Sequence, residues 1–283
     1  MYTLIAQNKY GEQLELTHNI AYEIINIEGI DPPDATINKT HNADFDGATY
    51  NSSYMNTRVI TITMAINSPA EDNRINLYHY FKSKFPVRLF YKNGQRDVYI
   101  DGYVQKMPIA FFDKKQIVQI VIECPEPHFN GASASMQAFT SISSLFTFPF
   151  SIEAAGIVFS SLAADSEQTI LNNGDVETGC IINIHATGAV VNPKIYNTTT
   201  GEHIILNQSL SSGDKIVINT IKGQKSVTLY PTGGGSSNII GKFTQGSSWL
   251  QLIPGDNVYI VTADTNPENM EVFFIITDQY EGV

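Results

Sequence analysis

Cysteine is nearly missing from this sequence: 283 residues contain two, Cys124 and Cys180, and a single tryptophan, Trp249. Two thiols cannot build the dense disulfide framework of small exported domains, and both read as free thiols suited to assembly in a reducing cytoplasm. Basic charge is scarce too. Lys and Arg number 17 against 28 Asp and Glu, a formal charge of −11, which excludes a sequence-independent nucleic-acid binder built on clustered cations. No run approaches the roughly 18 to 20 apolar residues of a membrane-spanning helix. The opening Met1-Tyr2-Thr3-Leu4-Ile5 lacks the basic and apolar regions of a signal peptide, so neither membrane insertion nor secretory export is expected.

Catalytic signatures are also wanting. There is no Gly-x-Ser-x-Gly elbow, no His-Glu-x-x-His, no Cys-x-x-Cys and no Gly-x-x-x-x-Gly-Lys, the short patterns that place a nucleophile, a metal or a phosphate. The histidines His18, His41, His79, His128, His185 and His203 are scattered without ligand spacing, so no metal is expected. The Gly233-Gly234-Gly235-Ser236-Ser237 run lacks the Lys and following helix of a phosphate cradle and reads as a hairpin tip. Carboxylate pairs of the glycosidase kind converge only in the fold. A hydrolase therefore rests on unplaced acids alone, and the expectation is a protein without catalytic residues or cofactor.

What is present is strand after strand. Val87 to Tyr91 runs into Lys92-Asn93-Gly94-Gln95, and Arg96 to Val104 leaves it, an Asn-Gly hairpin signal that predicts a turn with two positive φ angles. Val98, Ile100 and Val104 share one face of the returning strand, with Gly102 marking a bulge or close approach. Gln116 to Glu123 repeats the alternation after a turn at Asp113-Lys114-Lys115, and Pro125 and Pro127 end it. Earlier, Tyr2 to Ala6 and Gln13 to Leu16 predict a hairpin, Tyr22 to Ile27 a strand, and Val59 to Ile66 a strand with Ile60, Ile62, Met64 and Ile66 inward. Between them, residues 42–54 are rich in Asn, Asp, Ser, Gly and Tyr and read as a long excursion, of the kind that serves a function or is ordered by a partner. One helix is expected, capped by Ser68 with Pro69 at its first position and Glu71 completing a capping box, its apolar stripe being Ile75, Tyr78, Phe81 and Phe85.

The predicted organisation is two domains, residues 1–131 and 132–283, with a linker over about 130–144 that contains no clear strand. The first carries 12 Lys and Arg against 15 Asp and Glu, the second 5 against 13. In the second, Phe146 to Ile152, Cys180 to His185, Lys194 to Asn197, Glu202 to Leu206, Lys215 to Thr220, Ser226 to Tyr230, Val258 to Thr262 and Met270 to Thr277 read as short strands between turns, the pattern of a jelly-roll β-sandwich. The fold class is thus mainly β, with a sandwich or barrel-like N-terminal domain holding the one helix.

Ile27-Glu28-Gly29 before Asp31-Pro32-Pro33, the Asp46-Gly47 excursion, Arg58 opening Ile60-Thr61-Ile62, Phe90-Tyr91, Gly102-Tyr103-Val104 and Cys124-Pro125-Glu126-Pro127-His128-Phe129 form a series that resembles the N-terminal domain of the distal tail (Dit) protein family of long-tailed bacteriophages. The second module resembles the family's C-terminal domain in Asn172-Asn173-Gly174-Asp175-Val176-Glu177-Thr178-Gly179, Asn192-Pro193-Lys194-Ile195 and Leu252-Ile253-Pro254-Gly255-Asp256-Asn257. The resemblance implies a virion protein of the phage tail tip, assembled in the host bacterial cytoplasm. It implies a ring, commonly a hexamer, closed by N-terminal domains with galectin-like C-terminal sandwiches outside. Such a ring joins the tail tube protein to tail-tip, baseplate or receptor-binding proteins and leaves a channel for DNA. Asp46, Gly47 and Arg58 are the candidate subunit-interface residues. The alternative is a carbohydrate-binding adhesin module of a phage tail or cell surface, with Trp249 and Tyr230 stacking on a sugar ring; against it, Trp249 also reads as a core aromatic ahead of Leu250 and Leu252.

Overall fold

The computed structural model describes residues 2–41, 43–44, 46–111, 115–139, 142–144, 160–162 and 167–283. The chain is mainly β with one α-helix among the described residues. It divides into two compact units, one comprising the residues up to 132 together with Gln279–Val283, the other Ser133–Asp278.

The first unit contains β1 (Thr3–Asn8), β2 (Gln13–Glu15), β3 (Tyr22–Glu28), β4 (Ala35–Thr40), β5 (Thr49–Met55), β6 (Arg58–Ile66), α1 (Ala70–Tyr80), β7 (Pro86–Lys92), β8 (Asp97–Lys106), β9 (Gln116–Cys124) and β10 (Phe129–Gly131). Its main sheet runs β2-β1-β7-β8-β9-β6-β3, all antiparallel. Period-two alternation places Ile60, Ile62, Met64 and Ile66 of β6 in the core with Val98, Ile100 and Val104 of β8 and Val118, Ile120 and Ile122 of β9, as the sequence pattern requires of half-buried strands. At Gly102 a Cβ would meet the Ile122 side chain at 2.5 Å and Cys124 Sγ at 2.8 Å, so the strands close together there only because the residue is glycine.

Several expectations change. The β7–β8 hairpin forms, but neither Asn93 nor Gly94 has positive φ. Instead the Asn93 side chain accepts from the amides of Gln95 and Arg96 while the Asn93 amide donates to the Arg96 carbonyl, an Asx turn in a four-residue loop. The helix begins after Pro69, whose side chain offers no acceptor, and has no side-chain cap; Ser68 stands one residue too early to serve. Of the expected stripe only Phe81 faces the core. Ile75, Tyr78 and Phe85 are exposed, whereas Leu77 and Phe81, four residues apart, are buried and each contributes about 1.5–3 kcal/mol of burial. Apolar residues lie around much of this helix, so the pattern alone could not choose the face. The turn residues Asp113 and Lys114 lie outside the described residues.

The predicted linker is in part strand. Asn130 and Gly131 belong to β10, and β11 (Ser135–Phe139) pairs within the second unit. That unit continues with β12 (Ile142–Ser144), β13 (Ser160–Leu162), β14 (Glu167–Asn172), β15 (Cys180–Ala186), β16 (Val190–Asn197), β17 (Glu202–Ile205), β18 (Ser209–Leu210), β19 (Lys215–Asn219), β20 (Ser226–Tyr230), β21 (Ser237–Asn238), β22 (Gly255–Thr265) and β23 (Met270–Ile276). Two sheets, β11-β23-β15-β19-β20-β21 and β14-β22-β16-β17 with β18 also on β16, share one core of Ile182, Ile184, Ile216, Ile218 and Phe274 from the first and Ile170, Ile195, Ile204, Tyr259 and Val261 from the second. Tyr259 and Phe274 meet across it with ring centroids 4.9 Å apart. This is a β-sandwich. The expected strand Phe146 to Ile152 lies outside the described residues.

The final residues do not stay with the sandwich. β24 (Gln279–Tyr280) pairs antiparallel with β10, Phe129 opposite Tyr280 and Asn130 opposite Gln279, and Tyr280 and Val283 pack on the first core. The predicted second domain, 132–283, is therefore too long by these residues. Two strand residues carry too short a pattern to reveal which sheet they join.

Candidate assembly site

The expected excursion, residues 42–54, is in part strand: its later residues belong to β5, which forms a hairpin with β4. Among the described residues β4 and β5 pair only with each other, from Ala35 opposite Met55 to Thr40 opposite Thr49, with a bulge at Asn38/Lys39. Polar ladders run along it, Asn38 Nδ2 donating to Ser52 Oγ at 3.0 Å and Asn51 Nδ2 to Thr40 Oγ1 at 2.8 Å. Beside them Ile37, Tyr50 and Tyr54 are 61%, 62% and 57% exposed. An isolated two-stranded hairpin is marginal in water, and one bearing apolar and aromatic side chains on an unpaired ribbon has the character of a surface awaiting a partner. The alternation was hidden in the sequence because neither face of the ribbon is buried. What signal there was lay in Tyr50 and Tyr54 and in the β-branched Thr36, Ile37 and Thr49.

Asp46 and Gly47 lie exposed at the tip, Gly47 with φ +101° and its carbonyl 3.1 Å from His41 Nδ1. Arg58 lies at the root. The length of β5, about 20 Å of strand, separates them, so the structure does not bring the three together. Nor is Arg58 a surface residue: it is 3% exposed. Its Nε donates to the Pro127 carbonyl at 2.6 Å, Nη1 to the carbonyls of Gly29 and Asp31 at 2.6 Å each, and Nη2 to that of Glu281 at 2.5 Å. The Phe129 ring lies 4.7 Å from the guanidinium carbon. Burial pulls the Arg58 pKa below its ordinary value, while Cys124 and Asp31 act in the opposite sense. A guanidinium bonded to four backbone carbonyls gathers segments distant in the chain.

Gly29 is part of the same construction. It has φ +83°, and a Cβ there would come within 2.1 Å of the Val59 carbonyl oxygen. The Ile27-Glu28-Gly29 signal in the sequence thus has a physical cause, a left-handed turn pressed against β6 so that its carbonyl reaches Arg58.

In the second unit Trp249 is half-buried, its ring 5.0 Å from that of Phe243 with Lys225 Nζ 5.5 Å away. Tyr230 is exposed at the far end of β20, about 13 Å of strand from the end that Lys225 adjoins. The structure does not assemble them into one platform. The signature loops have a different basis. Buried Asn172 donates to the carbonyls of Val176 and Leu252 and accepts from the Gly174 amide. Buried Asn257 donates to the carbonyls of Ile253 and Gly255 and accepts from the Ile253 amide. A third buried asparagine, Asn197, which no sequence pattern flagged, donates to Tyr259 Oη at 3.2 Å and accepts from the amides of Thr199 and Thr200. Buried amides of this kind fix loop shape because each unmet bond would be costly.

Among the described residues no group of three or more His, Cys, Asp or Glu is placed to hold a metal ion, and no helix is long and apolar enough to cross a membrane. Both thiols are buried, and desolvation pushes each up to about 12.

Residues 173–275 match the family described as siphovirus-type tail component, C-terminal domain. Across its length the chain shares its fold with the Dit (gp 19.1) protein of phage SPP1, whose crystal structure is described as a paradigm of the hub adsorption apparatus in phages infecting Gram-positive bacteria: TM-score 0.70 at 11% identity, covering 99% of each chain. A chain of the phage P2 baseplate in its activated conformation with calcium gives TM-score 0.54 at 11% identity, covering 100% of each chain. The strontium form of that baseplate gives 0.52, also at 11% identity and 100% of each. No curated protein matches in sequence.

Proposed function

We propose, from the match of residues 173–275 to the siphovirus-type tail component family and the fold shared with the SPP1 Dit protein, that this chain is a Dit-family protein and the subunit of a closed ring at the distal end of a phage tail. The ring, a hexamer by the family resemblance, joins the tail tube protein to the tail-tip, baseplate or receptor-binding proteins and leaves a channel for DNA. Its work is structural rather than catalytic.

The observation that carries the reading is the β4–β5 hairpin. It holds Ile37, Tyr50 and Tyr54 out in solvent on a ribbon paired with no other strand among the described residues, and a head-to-tail ring requires one such projecting surface on each subunit to meet a different surface on the next. About 800 Å² per partner is a reasonable size for each contact. The chain's charge of −11 fits a conduit for a polymer that carries about one negative charge per 1.7 Å, since a wall without basic clusters lets DNA pass without adhering. Nothing in the geometry favours the adhesin alternative, because Trp249 is packed on Phe243 and Tyr230 stands apart from it.

The test is to mix the purified chain with its tail tube and tail-tip neighbours and examine the product by negative-stain microscopy and mass photometry. A circular particle of about six copies with an open lumen is expected. A chain that stays monomeric beside those partners, or a ring whose lumen is lined with Lys and Arg, overturns the proposal.

A further inference from the structure

The hairpin proposed to close the ring is rooted in a clamp assembled from segments remote in sequence, and that clamp includes the last residues of the sequence. The entry leg passes through Gly29, Ile30 and Asp31, and the exit leg ends at Arg58. Between the legs the Asn56 amide donates to the Asp34 carbonyl at 3.1 Å and Thr36 Oγ1 to Asn56 Oδ1 at 3.1 Å. Arg58 ties the entry leg to the exit leg through the Gly29 and Asp31 carbonyls, and with Nη2 takes the Glu281 carbonyl. The Val283 amide donates to the Ile30 carbonyl at 3.2 Å, and Gly282 lies close against Pro32. The segment is itself held by its pairing with β10, by the Gln279 side-chain amide donating to Asn130 Oδ1 at 3.1 Å, and by Arg96, whose guanidinium carbon lies 4.0 Å from the Tyr280 ring centroid.

We infer that residues 279–283 are a latch which, through Arg58 and the 29–31 turn, sets the pose of the β4–β5 hairpin and so the competence of the subunit to join its neighbours. Tyr280, Arg96 and Arg58 are positioning residues: their role is to fix the ribbon. The latch follows β23 of the second unit by two residues, so the covalent path out of that unit runs directly into the root of the hairpin. The inference rests on the ring reading for its consequence, not for its geometry.

The full-length chain carrying Thr49→Cys and Lys92→Cys provides one label on the hairpin and one on β7, and the buried native thiols remain unlabelled. Electron–electron distance measurements on this pair should give a single narrow distribution. Adding Tyr280→Ala should abolish the narrow peak and reduce ring yield with the neighbouring tail proteins, while amide exchange in β6 and β9 stays unchanged. Should Tyr280→Ala fail to fold, Arg96→Ala leaves the Tyr280 ring in place, removes the cation over it and should broaden the distribution in the same direction. An unaltered distribution and ring yield in a variant whose 280–283 amides have become freely exchanging overturns the latch. So does loss of protection spread evenly over the whole first unit, which signifies general packing. If the unaltered protein forms no ring, yet Tyr280→Ala still releases the hairpin, the ring reading falls and the latch stands.

Discussion

Arg58 spends its guanidinium on backbone carbonyls drawn from four places in the chain, Gly29, Asp31, Pro127 and Glu281. Arg58→Ala removes the one buried side chain that donates to all four of these half-exposed carbonyls and should lower unfolding free energy by about 3–5 kcal/mol in urea titration. Arg58→Lys should recover only a part, because an ammonium lacks the planar fork that serves several acceptors at once. Gly29→Ala adds a methyl where the Val59 carbonyl already stands and forces a left-handed residue to carry a Cβ; a loss of at least about 2 kcal/mol is expected by the same titration. The thiols give a pH signature. Cys124 and Cys180 are pushed up to about 12 in the fold, chiefly by desolvation, while an unfolded thiol titrates near about 8.5. Between those values the unfolded chain sheds protons that the folded chain keeps, so the stability these groups contribute is whole below about pH 8.5 and is lost as pH rises toward 12. Thermal melts should show this decline, shallower in Cys180→Ala, and neither native thiol should react with a disulfide reagent at pH 8 until the protein unfolds.

At the scale of elements, the hairpin separates folding from assembly. Ile37→Ser and Tyr54→Ser act on solvent-exposed side chains and should shift stability by no more than about 0.5 kcal/mol, yet they should markedly reduce ring formation; equal ring yields would remove β4–β5 from the interface. The strands with one buried face were legible from sequence. Ile60 to Ile66, Val98 to Val104 and Val118 to Ile122 alternate because one side meets the core, and the sandwich strands Cys180 to Ala186 and Lys215 to Asn219 behave alike. Elements without that asymmetry escaped. β4 and β5 bury neither face, and β24 is too short to show a period. The helix presents apolar residues in several directions, which hid that Leu77 faces inward beside Phe81 while Ile75 and Tyr78 face out. The interface candidates divide in the same way: a tip of Asp and Gly could be read as an exposed turn, whereas the role of Arg58 depends on carbonyls up to 223 positions away, which no local pattern encodes.

For the whole molecule, acidity and assembly oppose one another. Every copy added to a ring brings a formal charge of −11, and the proposed contacts are apolar and aromatic rather than ionic, so added salt should screen the repulsion and favour the ring. Sedimentation at about 20 mM and about 300 mM sodium chloride, which bracket a Debye length of about 10 Å, should show more ring at the higher salt; the reverse result would point to contacts held by ion pairs.

Chain entry and exit for the sandwich, Asn130 and Gln279, face each other in adjacent antiparallel strands, about 5 Å apart. The chain therefore leaves the first unit and returns to it through neighbouring strands of one sheet. Any compact module whose own ends lie side by side could be spliced there without redrawing the receiving sheet, which makes the site a natural place for exchanging cargo while the framework that carries it stays constant.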